Sequence, residues 1–212
     1  MGVTFGTKHS ETDWGLLLTD MAIGSPEAKN RTVSIEGRDG DLDLSEALGD
    51  IRFTNREVAV KFIHPGSIDP SLISEINNAL HGVKLNIIFD HDPSYYYVGR
   101  CHIESSQEDQ AHGVFVVKAD CAPFKFKSSF TAVNIVATTS GVVATCTVAN
   151  RKVKPIITTD APAQIIFGGD TYNITAGATT MPFYLETGAN SVEGKTASGT
   201  ANVEIKWKEQ SL

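Results

Sequence analysis

The sequence predicts a mainly β protein with one amphipathic helix and an antiparallel β-sandwich in its C-terminal part. Three observations carry this. Apolar residues recur at every second position in short runs bounded by turn formers. Only one segment repeats at helical spacing. Beyond residue 127 the composition turns rich in Thr, Ala, Gly and Val, with no helical periodicity.

The period-two runs come in order. Val33 and Ile35, Ile51 and Phe53, then Val58, Val60 and Phe62 each send their side chains to one face of an extended segment. Leu85, Ile87 and Phe89 follow, and Asp90-His91-Asp92-Pro93-Ser94 breaks the run with turn formers. The extended pattern resumes from Tyr95 to Ile103, so 84–103 reads as a β-hairpin. Val114 to Ala119 is a further apolar strand.

The helix is predicted over 69–82. Asp69 is an N-cap candidate, followed by Pro70 at the first helical position. Leu72, Ile73, Ile76, Ala79 and Leu80 fall on one side at 100° per residue, while Ser74, Glu75 and Asn78 face away. His81 sits where its charge would suit the helix dipole, and Gly82 can take the left-handed conformation that ends a helix.

In the C-terminal part, Val142, Ala144, Cys146 and Val148 alternate with Val143, Thr145 and Thr147. Short strands are predicted at Gln164–Phe167, Tyr172–Ile174, Pro182–Glu186 and Ala201–Trp207. Gly168-Gly169 reads as a hairpin turn. The last strand is the clearest, with Ala201, Val203, Ile205 and Trp207 on one side and Asn202, Glu204, Lys206 and Lys208 on the other. Even spacing of short strands argues for a sandwich with one wetted face per sheet. Two domains are expected, 1–127 and 128–212.

Composition narrows the function. With 18 basic and 25 acidic side chains the formal charge is −7, and the pI near 5.3 argues against a sequence-blind grip on nucleic acid phosphates. No apolar run approaches the roughly 20 residues that cross a bilayer. The opening residues lack the basic-then-apolar order of a secretion signal. Cys101, Cys121 and Cys146 are odd in number, widely spaced and outside any CxxC motif, so they read as reduced, partly buried thiols.

The six histidines form no HExxH or paired i, i+4 arrangement, and GxSxG, GxGxxG and GxxxxGK[ST] are all missing. Asp39, Asp41 and Asp43 match the first ligands of a calcium loop and Asp50 its twelfth position, but Leu44 stands where that loop needs glycine. A solvated acidic turn is the expectation, with Asp43 or Ser45 capping a short helical turn through Leu48. No catalytic residue, cofactor or metal is assigned.

The aromatics point to surfaces. Consecutive Tyr95, Tyr96 and Tyr97 must occupy both faces of a strand: either Tyr96 is buried and its neighbours displayed, or the reverse. Trp207 is expected in the core. Tyr172 and Tyr184 read either as core or as sugar-stacking platforms.

The motifs in their order resemble the phage distal tail proteins, often called Dit. They begin with Asp13-Trp14-Gly15-Leu16, Pro26-Glu27-Ala28-Lys29, Ile35-Glu36-Gly37-Arg38-Asp39-Gly40-Asp41-Leu42-Asp43-Leu44 and Asn55-Arg56-Glu57. Leu80-His81-Gly82, Phe89-Asp90-His91-Asp92-Pro93, Tyr96-Tyr97-Val98-Gly99-Arg100 and Ala122-Pro123-Phe124-Lys125 continue them. Leu185-Glu186-Thr187-Gly188-Ala189-Asn190 and the closing strand complete a resemblance covering nearly the whole chain. Ala122 and Phe124 depart from it, standing where the family often has an aromatic residue and tyrosine.

The resemblance implies a structural protein of a phage or prophage tail tip, not an enzyme. Its N-terminal β-sandwich, with one helix and a protruding β-hairpin, would build a hexameric ring around a DNA-conducting channel. Its C-terminal domain would be a galectin-like β-sandwich outside the ring. Expected partners are copies of itself, the tail tube protein, the tail-associated hub or fibre protein and sometimes a receptor-binding protein, in a virion assembled from chains made in the host bacterial cytoplasm. No specific nucleic acid or membrane partner is implied. Arg38, Asp39, Asp41 and Arg56 would supply interface ion pairs, and Tyr95, Tyr96 and Arg100 the hairpin's docking surface. The alternative is a carbohydrate-binding protein that recognises bacterial cell-wall glycan through Tyr172 and Tyr184.

Overall fold

The structure, a computed structural model, describes residues 1–47, 49–108 and 112–212, with the backbone alone at 105–108 and 112. The chain is mainly β and divides into two compact units, Met1–Lys125 and Phe126–Ser211. No described helix is long and apolar enough to cross a membrane.

The first unit runs β1 (Val3–Phe5), β2 (Lys8–His9), α1 (Ser10–Trp14), β3 (Leu17–Ile23), β4 (Thr32–Val33), β5 (Leu42–Asp43) and β6 (Arg56–Pro65). It continues through α2 (Pro70–Leu80), β7 (Lys84–Phe89), β8 (Tyr95–Glu108) and β9 (His112–Cys121). An antiparallel sheet takes the order β2-β1-β7-β8-β9-β6-β3. One parity of each strand lines the core, including Val58, Val60 and Phe62 of β6, Phe115, Val117 and Ala119 of β9, and Ile87 and Phe89 of β7.

The sheet is strongly curled. Four pairing steps separate β1 from β6, roughly 19 Å in a flat sheet. Yet the rings of Phe5 and Phe62 meet edge to face at 6.1 Å. The curl sets β1 and β6 across a shared core, which is the two-layer packing expected of a sandwich. Hairpin β7–β8 lies within this sheet, between β1 and β9.

The predicted helix is α2. The Asp69 carboxylate accepts the Ser71 N–H at 2.9 Å, Ile76 and Leu80 are buried, and Leu72, Ile73 and Ala79 pack at their margin. Its end differs in detail. His81 takes the cap position in an extended conformation, its Nδ1 accepts the Ile103 N–H at 3.2 Å, and Gly82 follows with φ 78°. The imidazole thus serves β8 instead of the helix carbonyls.

A second helix, α1, is too short at five residues to show a period in the sequence. It ends on Gly15 at φ 65°, and its Trp14 is buried with the indole N–H donating to Glu75 of α2 at 3.1 Å. Val33 and Ile35 do not enter a core: they are 41% and 44% exposed, and β4 holds only two residues. Ile51 and Phe53 lie outside the named strands. Two apolar positions flanked by Gly and Asp cannot bury enough surface to fix a strand.

Strand β10 (Lys125–Lys127) reaches the second unit, where the Lys127 N–H donates to the Glu209 carbonyl at 2.9 Å and pairs it with β19 (Gln210–Ser211). The other strands are β11 (Thr131–Ala137), β12 (Val142–Val148), β13 (Ile156–Thr159), β14 (Ala163–Phe167), β15 (Asp170–Ile174), β16 (Gly177–Thr180), β17 (Gly188–Lys195) and β18 (Ala201–Trp207). They form two four-stranded antiparallel sheets, β11-β18-β13-β16 and β12-β17-β14-β15. Ala144, Cys146 and Val148 from one sheet and Val203, Ile205 and Trp207 from the other belong to one buried cluster. Gly168 and Gly169, at φ 61° and 91°, supply the tight turn between β14 and β15.

The expected strand at Pro182–Glu186 is corrected. Met181, Phe183 and Leu185 do alternate inward, but only a bridge from Leu185 to Val153 forms. Pro182 lacks an N–H, and the Asn190 side chain takes both backbone groups of Glu186.

Candidate functional site

Residues 24–55 leave β3 and return to β6 as an arm in which no described residue is buried. Backbone bonds hold it together: Lys29 N–H to the Arg52 carbonyl at 2.7 Å, Thr54 N–H to that of Glu27 at 2.8 Å, and Leu44 N–H to that of Arg31 at 2.7 Å. Ordering a residue costs roughly 1–2 kcal/mol of backbone entropy, and this arm offsets little of it by apolar burial.

Arg38, Asp39 and Asp41 lie exposed in the loop between β4 and β5. Below them the calcium-like segment folds as an acidic turn. The Asp43 carboxylate accepts the Ser45 N–H at 2.8 Å, and the Ser45 hydroxyl accepts the Arg31 N–H at 2.8 Å. Bonds from the Ser45 hydroxyl and backbone hold the Asp43 carboxyl below its ordinary 3.8. Leu48 lies outside the described residues. Among the described residues no three metal-binding side chains converge.

At the arm's base is a cleft of about 410 Å³, lined by Lys29, Asn30, Arg31, Ser45, Asp50 and Arg52 among others. The sequence reading missed it. Its three cations are scattered along 24 residues and meet only when the arm doubles back.

Arg56 is not displayed on the surface of the chain. It shares the inward parity of Val58, Val60 and Phe62, so it is only 5% exposed. Its guanidinium lies 5.5 Å from the centre of the Tyr97 ring, and its Nε has no hydrogen-bond partner. Neither alternative for the three tyrosines is realised in full, since Tyr95 does not share the burial of Tyr97. Tyr97 is buried against Phe89, while Tyr95 and Tyr96 are half-buried. Lys125, paired with Asp92 at 2.8 Å, sits 4.4 Å above the Tyr95 ring. The Asp92 bond also raises the Lys125 pKa. Arg100 is exposed and donates to the Gly82 carbonyl, so it secures the turn after α2.

In the second unit the two proposed sugar platforms differ. Tyr172 packs on Phe183, which stacks on Phe167 at 4.4 Å, so it belongs to the core margin. Tyr184 is 44% exposed, with Lys152 and Lys154 ammonium groups 5.7 and 5.1 Å from its ring centre. The aromatic pair is therefore not a shared platform of two displayed rings.

No protein-family model matches the chain, and neither does any curated protein. Its fold is similar to that of a solved structure, the SPP1 Dit (gp 19.1) protein, described as a paradigm of the hub adsorption apparatus in phages infecting Gram-positive bacteria. The likeness has a TM-score of 0.65 at 18% identity and covers 100% of this chain and 99% of the other.

Proposed function

We propose that this chain is a structural component of a phage or prophage tail tip. Copies assemble into a hexameric ring that joins the tail tube to the tail-associated hub or receptor-binding apparatus. The observation that carries this reading is the likeness in fold to SPP1 Dit, which runs through both units and spans essentially the full length of both chains. An extended likeness across two differently built units is more specific than a shared sandwich, a fold that hosts many functions.

The surfaces support the same reading. A ring needs two different patches on each subunit, one to give and one to receive. The first unit offers the exposed arm, and β3 ends its sheet with one edge unpaired and Leu17 and Met21 exposed. Arg38, Asp39 and Asp41 on the arm, with Tyr95, Tyr96 and Arg100 of the β7–β8 hairpin, remain the docking candidates. Arg56 acts from within, fixing Tyr97. The second unit serves as a galectin-like docking domain on the outside of the ring.

Location tests this directly. Antibody raised against the purified chain and coupled to gold should mark one end of the tail in electron micrographs of particles from the producing strain. Label confined to the capsid or along the tube, or found only on soluble protein, would overturn the proposal.

A further inference from the structure

One end of the outer face of sheet β11-β18-β13-β16 is positive, on a chain whose formal charge is −7. Alternation buries Val203, Ile205 and Trp207 of β18 and so turns Lys206 and Lys208 outward. Just before β13, buried Val153 is bridged to buried Leu185, which turns Lys152, Lys154 and Tyr184 outward as well. Just before β11, Phe130 is 47% exposed, with the Lys206 and Lys208 ammonium groups 5.8 and 5.0 Å from its ring centre. Tyr184 stands in the same way beside Lys152 and Lys154, at 5.7 and 5.1 Å.

Strand β18 lies between β11 and β13, so the order across this face is Phe130, the Lys206 and Lys208 pair, the Lys152 and Lys154 pair, and Tyr184. The carboxylates of Glu204 and Glu186 share this end of the face, Glu204 binding Lys206 at 2.6 Å. Four ammonium groups against those two carboxylates leave an excess of two positive charges, bordered by an exposed ring on either side.

We infer that this strip docks an acidic, extended segment of a partner protein. Charge selects a negative occupant, and the bordering rings select one that also carries apolar side chains. Side chains on one face of an extended peptide recur about every 6.5 Å, which is also the repeat of Lys206 and Lys208 along β18. Carboxylates at alternate positions therefore meet successive ammonium groups. A polyol phosphate brings charge but nothing apolar for the rings. A single-stranded nucleic acid brings a phosphate with every base, more charge than an excess of two balances on an acidic chain. Cation–π contact holds the ammonium groups beside the rings before a partner arrives. The contact rests on the docking role proposed for the second unit and not on ring closure.

The test titrates the full chain into a labelled synthetic peptide of alternating Glu and Thr with a Leu at each end, followed by fluorescence anisotropy. The peptide should bind, and binding should weaken about tenfold between low salt and about 0.5 M salt. Lys154→Glu with Lys208→Glu should weaken it about tenfold and gain affinity for the same peptide with Lys in place of Glu. Phe130→Ala with Tyr184→Ala should weaken binding of the Leu-ended peptide more than that of a Thr-ended version.

Circular dichroism confirms that each variant is folded. Should the charge-reversed variant fail to fold, Lys154→Gln with Lys208→Gln takes its place and should weaken binding several-fold. A wild type that does not bind the Glu peptide, or a folded charge variant that binds it as the wild type does, would overturn the inference. Tighter binding of poly(glycerol phosphate) or of a single-stranded DNA oligomer than of the peptide would overturn it too, by assigning the strip to a phosphate polymer. Each of these outcomes leaves the tail-tip reading standing, because the gold label decides that separately.

Discussion

The side chain of Asn190 pairs with the backbone of Glu186 as a neighbouring strand would. Its Oδ1 accepts the Glu186 N–H at 2.8 Å, and its Nδ2 donates to the Glu186 carbonyl at 2.7 Å. The same amide reaches the carbonyls of Gly188 at 3.0 Å and Cys146 at 3.2 Å. A buried amide thus replaces a ladder that Pro182 interrupts.

Replacing Asn190 by Ala strands these groups, and an unsatisfied buried polar group costs about 1–3 kcal/mol. Asn190→Ala should therefore lower the stability of the second unit by about 2–3 kcal/mol. Asn190→Asp should do no better, because a carboxylate would face three carbonyls. Urea unfolding followed by Trp207 fluorescence reads the effect, and a change below about 0.5 kcal/mol, the size of an ordinary surface substitution, would refute the role.

Phe62 tests the curl of the first sheet. It is fully buried and meets Phe5 across the core. Phe62→Ala should cost about 3–5 kcal/mol through lost burial and the cavity left behind. Phe62→Leu should cost clearly less. Equal costs for the two would mean that ring packing is not what holds β1 against β6.

Acid should destabilise both units in a defined direction. Bonds from the Ser71 backbone and hydroxyl hold the Asp69 carboxyl below 3.8, and bonds from the Asn202 side chain and backbone do the same for Asp160. For Asp90, burial pushes upward, but the Gly2 N–H, His9 and the N-terminal charge outweigh it and leave its carboxyl low. A folded-state pKa below the unfolded value gives stability that is present above about pH 4 and lost as pH falls through the folded values. The urea midpoint should hold steady from neutrality to about pH 5, then fall. Asp69→Asn and Asp160→Asn should flatten that fall. A midpoint that rises on acidification would contradict the sign.

The thiols should be inert in the folded protein. Burial pushes Cys101 and Cys146 up to about 11 and Cys121 to about 12, so little thiolate exists near neutral pH. Ellman's reagent at mildly alkaline pH should find almost no reactive thiol until denaturant is added, and then all three. Prompt reaction of the native protein would show that these sites open.

Sequence reading succeeded wherever a local pattern had a core to face. Val58, Val60 and Phe62 alternate because one parity is buried, and α2 was legible from its cap and its apolar side. It failed where tertiary context decides. Gly188–Lys195 is a full strand, but with Gly, Asn, Ser and Glu along it only its partner β12 reveals it. The resemblance sets Arg56 among interface ion pairs, whereas its even spacing with Val58 puts it on the buried parity of β6. The cleft at the arm's base depends on the arm folding back on itself, which local spacing does not encode.

Analytical ultracentrifugation of the purified chain across a broad concentration range tests self-assembly most directly. A ring should appear as a species near six times the 22.8 kDa chain mass, growing with concentration and receding at high salt. A single monomer boundary at every concentration, with tail tube protein added or not, would contradict it.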